Sequence, residues 1–444
     1  MRVIRTVVAA TTPLILTGAL TACSAQDGGS PVNAAGEIEI TCATCQESTT
    51  DPFLQFNYEA AQRFNEAHRG RYRVVTLRHA NAGSGEARLP YYQRLAMAND
   101  LPDVFQLNSA EIESLSSTGR LHDFAPELAA DAEWSASFQP RAFDGLSGPE
   151  GQRWAIPQQQ DPVGIFYNRE LLAHAGHDAF PTTWDEFESM AADVRATGTT
   201  PIALDGDWAT ILMWSNLIGT HPEGAAFLAD EIATSDDWSA NAAVVAATER
   251  LRSWHTEGYV NADAFSGDFQ NAASKYLAGT AVAIPNGPWF VKTNLRTSQA
   301  APGLYEDTEY VPSPGWGASE QGLIVVSGAG WVSGTADPTR LEAVEAFVRF
   351  MSSTDEVVEQ ARSTGSNPPV TVPAATLAAA ELEPLSSGLV GRLPEVALTY
   401  PHARVHAPGG IDAAWKNLWP AYVNGEIDTA AFLSRLAADS AVGG

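Results

Sequence analysis

The residues of this chain best suited to chemistry are tryptophans and carboxylates placed where apolar segments end. Trp289 follows Asn286-Gly287-Pro288, a turn signal that interrupts the apolar run from Val282 to Phe290. Asp161 closes a polar run, Gln158 to Asp161, which follows Pro157 and leads into the apolar segment Val163 to Tyr167. Asp205-Gly206-Asp207-Trp208 forms a turn after the short strand expected over Pro201 to Leu204. An indole offers a flat apolar face, while carboxylates and amides satisfy hydroxyl groups. Together they suit a carbohydrate, whose C–H faces are apolar and whose buried hydroxyls must be hydrogen-bonded.

The competing enzyme reading is a secreted glycoside hydrolase, which needs two carboxyls facing one another across the scissile bond. Asp205 and Asp207 are a poor pair, because they share one short turn and have no second partner in the motif. The sequence contains no Gly-x-Ser-x-Gly elbow, His-Glu-x-x-His helix or phosphate loop. A non-enzymatic protein without cofactor or metal is therefore expected.

The N-terminus sets the compartment. Arg2 and Arg5 precede an apolar core, Val7 to Leu20, which is short for a membrane span and ends in Leu20-Thr21-Ala22-Cys23. That pattern is a lipobox: cleavage after residue 22 leaves Cys23 as a new N-terminus ready for acylation. Residues 23–36 are rich in Ser, Gly, Asp and Ala and read as a tether holding a globular body at the outer face of the cell membrane. With Cys23 lipidated, Cys42 and Cys45 remain, and outside the cell such a pair favours a local disulfide. A redox or metal role has less support, since no second cysteine pair exists and no histidine lies close by.

At 444 residues the chain is long for a single core, so two domains are expected. Its formal charge of -27 argues against a nucleic-acid partner and against docking on anionic lipid. Twelve tryptophans stand out, several of them beside Gly, Asp or Asn at element ends. Strand and helix signals alternate: strands at Glu37–Thr41 and Arg73–Leu77, helices at Tyr58–His68 and Tyr91–Asn99, then a strand ending at Leu107. Farther on come helices at Thr183–Ala196, Ala209–Ile218, Ala240–Glu257 and Thr339–Ser352, with a helical pair at Ile411–Tyr422 and Thr429–Ala438. Gly322 to Val332 reads as a glycine-punctuated strand pair. This alternation predicts α/β layers on largely parallel sheets.

Several landmarks in order resemble the family 1 extracellular solute-binding proteins of ABC importers, the group that includes maltose-binding proteins. They are Leu101-Pro102-Asp103-Val104; Tyr167-Asn168-Arg169-Glu170-Leu171-Leu172 with Gly176, Pro181, Thr183, Trp184 and Phe187; Ala283 to Trp289; Phe347 to Ser353; and Trp415 to Thr429. The resemblance implies a two-lobe, periplasmic-binding-protein-like (type II) α/β fold with a hinge, closing on a sugar that a membrane permease then imports. It implies a monomer, with lobes of residues 37–157 plus 323–355 and residues 158–322 plus 356–444.

Carried onto this sequence, the resemblance makes Trp289 the stacking tryptophan and Asp161 an acceptor of sugar hydroxyls, with Asp207 and Trp208 as similar contacts. Trp415 falls where the family often has an aromatic on a C-terminal helix, and Trp331, after Gly328-Ala329-Gly330, ends a strand facing the expected cleft. Asn108 and Glu111 occupy a ligand-contacting region of the other lobe, as do Gln46 and Glu47 after the first strand. Leu107 replaces a tryptophan found in maltose binders, a departure from that subgroup. Alternative uses of the same fold are a surface sensor or adhesion lipoprotein and a receptor for glycerol-phosphate esters or another polar solute. The latter calls for arginine or lysine at the cleft, and the sequence around these residues offers few.

Overall fold

The computed structural model describes residues 31–78, 88–327, 329–393 and 395–442, so Cys23 and the leader lie outside the described residues. Two groups of sheets divide the chain. In the first, β1 (Ile38–Cys42) pairs in parallel with β2 (Tyr72–Thr76), and Cys42 forms a parallel bridge to Val104, which leads into β3 (Phe105–Leu107). A three-stranded sheet then runs β3, β10 (Gly330–Val332), β4 (Ile156–Pro157), antiparallel throughout. The helices Pro52–Ala67, Pro338–Met351 and Thr354–Thr364 belong with these strands, and Phe56, Phe64, Trp331 and Phe347 share one core.

The second group centres on β5 (Asp161–Asn168), every residue of which is buried. It pairs antiparallel with β7 (Ala281–Asn286), β8 (Thr308–Val311) and β9 (Gly322–Val326), while β6 (Thr200–Ile202) joins β7 and β11 (Leu398–Tyr400) joins β9 in parallel. The sheets are thus mixed, not largely parallel. β5 enters this half from the crossing and runs against the neighbours that flank it, so short antiparallel pairings replace the expected crossover units.

Most expected elements recur with small shifts at their ends, but the helix expected from Tyr58 starts six residues earlier, at Pro52, where Asp51 caps it, and the strand ending at Leu107 is only Phe105–Leu107. Thr183 caps the helix Trp184–Ala196 in a reciprocal box with Glu186, the arrangement that Thr-Trp-Asp-Glu encodes. The proposed strand pair of residues 322–332 is divided instead: β9 lies in one half and β10 in the other, so the chain changes halves between Val326 and Gly330. The expected return at Leu323 therefore falls inside β9. The expected exit at Asp355 falls inside the helix Thr354–Thr364, which the bidentate Arg63–Glu356 pair ties to the helix Pro52–Ala67. Both boundaries shift later because strand pairing and helix packing, not local composition, hold these segments.

Three crossings lie side by side. Asp161 and Pro162 pair with Val326 and Val325. Gln160 N–H donates to the Asn367 carbonyl at 3.1 Å, Asn367 Nδ2 donates back to the Gln160 carbonyl at 2.7 Å, and Asn367 N–H donates to Asp161 Oδ1 at 2.7 Å. Short adjacent segments of this kind can flex about one axis while the bodies they join stay rigid.

Candidate ligand-binding cleft

Between the halves lie two adjoining cavities, of about 880 Å³ and about 450 Å³. They share Phe53, Arg88, Gln159, Trp208, Trp289 and Arg404 as lining residues, and so form one continuous cleft. Its size falls in the range of small-ligand sites, which bury most of their occupant between apolar walls with a few placed polar groups.

The second half supplies an aromatic wall. Trp208 begins the helix Trp208–Gly219, and its ring meets Phe269 edge-on, with centroids 5.1 Å apart, and Trp289 at 6.4 Å. Trp289 follows β7, and Gly287 explains how its ring is seated: a Cβ at Gly287 would lie 2.2 Å from Trp289 Cζ3. The indole therefore folds back over the turn, a position that only glycine leaves open. Phe53, in the first turn of the helix Pro52–Ala67, supplies the ring on the opposite side.

The first half supplies an amide floor. Fully buried Asn57 donates to Gln106 Oε1 at 2.8 Å and to the Thr44 carbonyl at 3.2 Å, and Gln158 Nε2 donates to Asn57 Oδ1 at 3.3 Å. Thr44, Gln106 and Gln158 line the larger cavity. Thr44 sits within the turn closed by the Cys42–Cys45 disulfide, so that bridge fixes the backbone at the edge of the site.

Two arginines face the cleft from opposite halves. Arg88 makes a bidentate pair with Glu111, with Nε to Oε1 at 2.7 Å, and Glu111 also accepts from Asn108 N–H at 2.8 Å. Arg404 pairs with Asp412. Neither arginine was singled out as a ligand contact, and Arg404 belongs to a four-residue helical turn, Ala403–His406, with no sequence motif around it. His402 lines the smaller cavity, where burial and the Arg404 charge hold its imidazole well below the usual pKa.

The residues singled out from the sequence are distributed unevenly. Trp289, Trp208 and Asn108 line the cleft, with Asn108 also capping the helix Ser109–Ser116. Asp207 does not line it: its carboxylate accepts from Trp208 N–H at 2.6 Å and meets Lys416 Nζ at 2.8 Å, so it caps a helix and anchors a lysine. Glu111 acts behind Arg88 and lines neither cavity. Gln46 donates to the Ala43 carbonyl at 2.7 Å, and exposed Glu47 pairs with Arg78 at 3.6 Å; neither lines a cavity.

Asp161 is fully buried among the crossings, with Oδ2 unpartnered, and desolvation raises its carboxyl to about 8. Asp205 is likewise raised to about 7 by burial and by Asp207, while its Oδ1 accepts from Asp207 and Ala209 N–H. Neither lines a cavity.

Two of the expected stacking residues are core residues. Trp331 is 1% exposed and meets Phe347 edge-on at 5.3 Å. Trp415 is fully buried and packs on Trp214, Trp419 and Phe432. Its helix carries two faces: Ile411, Trp415, Leu418, Trp419 and Tyr422 form the apolar stripe, while Asp412 and Lys416, four apart, reach Arg404 and Asp207.

The family model described as bacterial extracellular solute-binding protein matches residues 46–358. The chain belongs to this family. Among curated proteins the solute-binding protein is similar to the xylose/arabinose-binding protein XacG of Haloferax volcanii, 26% identical over 291 residues. That match covers 64% of this chain and 59% of the relative, so the chain spans about three fifths of that protein's length. Among solved structures it is similar to a chitin oligosaccharide binding protein, with TM-score 0.72, 18% identity and coverage of 92% of this chain and 99% of the other. It is also similar to the cyclic alpha-maltosyl-1,6-maltose binding protein of Arthrobacter globiformis, with TM-score 0.71, 17% identity and the same coverage. These likenesses establish the two-lobe α/β fold of periplasmic binding proteins.

Proposed function

We propose that this protein is a lipid-anchored receptor at the outer face of the cell membrane, which captures a sugar between its lobes and delivers it to an ABC permease. The observation that carries the reading is the cleft itself: the edge-on Trp208, Phe269 and Trp289 rings on one lobe face Phe53, Thr44 and Gln106 on the other, with Gln158 of the crossing beside them. Aromatic faces opposite an amide floor meet both requirements of a saccharide, apolar stacking and saturated hydroxyl bonding. The named relatives, binders of xylose and arabinose, chitin oligosaccharide and maltosyl sugars, point the same way. Lobes of residues 37–157 with 330–364, and 161–326 with 368–442, would close about the three crossings.

Binding without turnover fits the placement of the carboxyls. The lining carboxylates, Asp51 and Asp268, each accept backbone N–H at a helix start, and the carboxyls raised by burial, Asp161, Asp205, Glu113 and Asp412, line neither cavity. Thermal-shift screening against a panel of neutral mono- and oligosaccharides, with chromatography of the recovered sugar, tests the proposal. A raised melting temperature with intact sugar supports a receptor, new products support a hydrolase, and no shift across the panel refutes sugar capture.

A further inference from the structure

Arg88 and Arg404 lie on opposite lobes, both line both cavities, and each is backed by its own carboxylate on the side away from the cleft. We propose that these two backed guanidiniums are contacts that select an uncharged saccharide and reject an acidic one, with Glu111 and Asp412 as the positioning residues that set this preference. The inference rests on the sugar-binding reading and deepens it.

A guanidinium carries five N–H donors in a planar fork. Arg88 commits Nε and Nη2 to Glu111, and Arg404 commits Nη2 to Asp412, which leaves further N–H groups on each for a ligand. The pairs are half-shielded, the arginine side chains being 14% and 24% exposed and their carboxylates 9% and 31%. Backing locks each fork in one orientation and cancels its charge. Two unbacked guanidiniums converging as the lobes close would repel one another.

The surrounding charge is not arranged for an anion. Asp51 and Asp268 line the larger cavity, and behind Trp208 the Asp207–Lys416 pair adds no net charge. With Glu111 and Asp412 counted, four carboxylates stand against two guanidiniums at the site. A uronate would compete with Glu111 and Asp412 for donors already used and enter a negative field. A neutral hydroxyl accepts a remaining N–H without displacing either carboxylate.

Isothermal titration tests this with cellobiose, maltotriose, xylotriose and chitobiose set against di- and trigalacturonate. The protein is expected to bind at least one neutral sugar and to prefer it to the galacturonates by about a hundredfold or more. Asp412→Asn, and independently Glu111→Gln in the other lobe, should each weaken the neutral sugar about tenfold while strengthening digalacturonate about tenfold. A purely structural role would weaken both classes alike, and unchanged melting temperatures identify folded variants. Arg404→Lys keeps the charge but loses the fork, and should weaken the neutral sugar without admitting the galacturonate. Wild-type protein binding galacturonate as tightly as any neutral sugar overturns the inference, as does an unchanged neutral-to-acidic ratio in both carboxylate variants. Binding of neither class refutes the sugar reading itself, and this inference with it.

Discussion

Asp161→Asn should change how stability depends on pH while leaving the crossings in place. Asp161 Oδ1 accepts from Asn367 N–H at 2.7 Å, and the asparagine amide oxygen can keep that bond. Oδ2 is buried without a partner, so removing its ionisation, not a contact, is the main consequence. Burial raises the carboxyl from 3.8 to about 8, and the folded protein therefore holds a proton that the unfolded chain releases near pH 4. The stabilisation from that proton is complete below pH 4 and is lost as pH rises toward 8, with a slope of about 1.4 kcal/mol per pH unit. Between pH 5 and pH 7 the loss from this one group is at most about 2.7 kcal/mol. Asp205, raised to about 7, adds a second slope of the same sign over that interval. Buried His402 and His255, both held below the usual imidazole range, contribute slopes of the opposite sign up to about pH 6.5. The Asp161 effect is therefore read from the difference between variant and wild type: Asp161→Asn should gain stability relative to wild type as pH rises from about 5 to about 7. Urea unfolding at pH 5, 6, 7 and 8 reads this directly, provided the denaturant slope stays constant. Parallel stability curves for variant and wild type would refute a neutral Asp161 in the folded state.

Other outcomes follow from the cleft and the cores. Trp289→Ala should weaken binding of the sugar found by screening by about tenfold or more, with the melting temperature nearly unchanged. Gly287→Ala, whose Cβ would lie 2.2 Å from the indole, should reproduce much of that loss by displacing the ring, and wild-type affinity in this variant would count against the turn geometry. Trp415→Ala should instead cost about 3–5 kcal/mol of stability, measured by denaturant unfolding, with affinity retained in the folded fraction. A selective loss of affinity there would return Trp415 to the ligand.

The legible parts of the site were those whose chemistry is local. Asn286-Gly287-Pro288-Trp289 marks a turn because glycine and proline restrict the backbone wherever they occur, and the structure adds that Gly287 leaves space for the ring. Asp205-Gly206-Asp207-Trp208 was legible as a strand-to-helix turn, yet the same text did not say which side chain faces the cleft. The aspartates cap the helix, and the tryptophan lines the site. Arg404 was not legible, because a lone arginine in a short turn becomes a site residue only through Asp412 on a later helix.

Sequence alone determined the alternation of strands and helices, the capped start at Thr183 and the turn before Trp289, since each depends on neighbours within a few residues, and the resemblance to solute-binding proteins, which rests on the order and spacing of short motifs along the chain. Tertiary structure decided where β9 and β10 part between the lobes, that Trp331 and Trp415 serve the cores, and that Asp161 is buried within its crossing and does not line the cleft. Those outcomes depend on which distant surfaces exclude water from a side chain. Burial is a property of the assembled fold, not of any segment taken by itself.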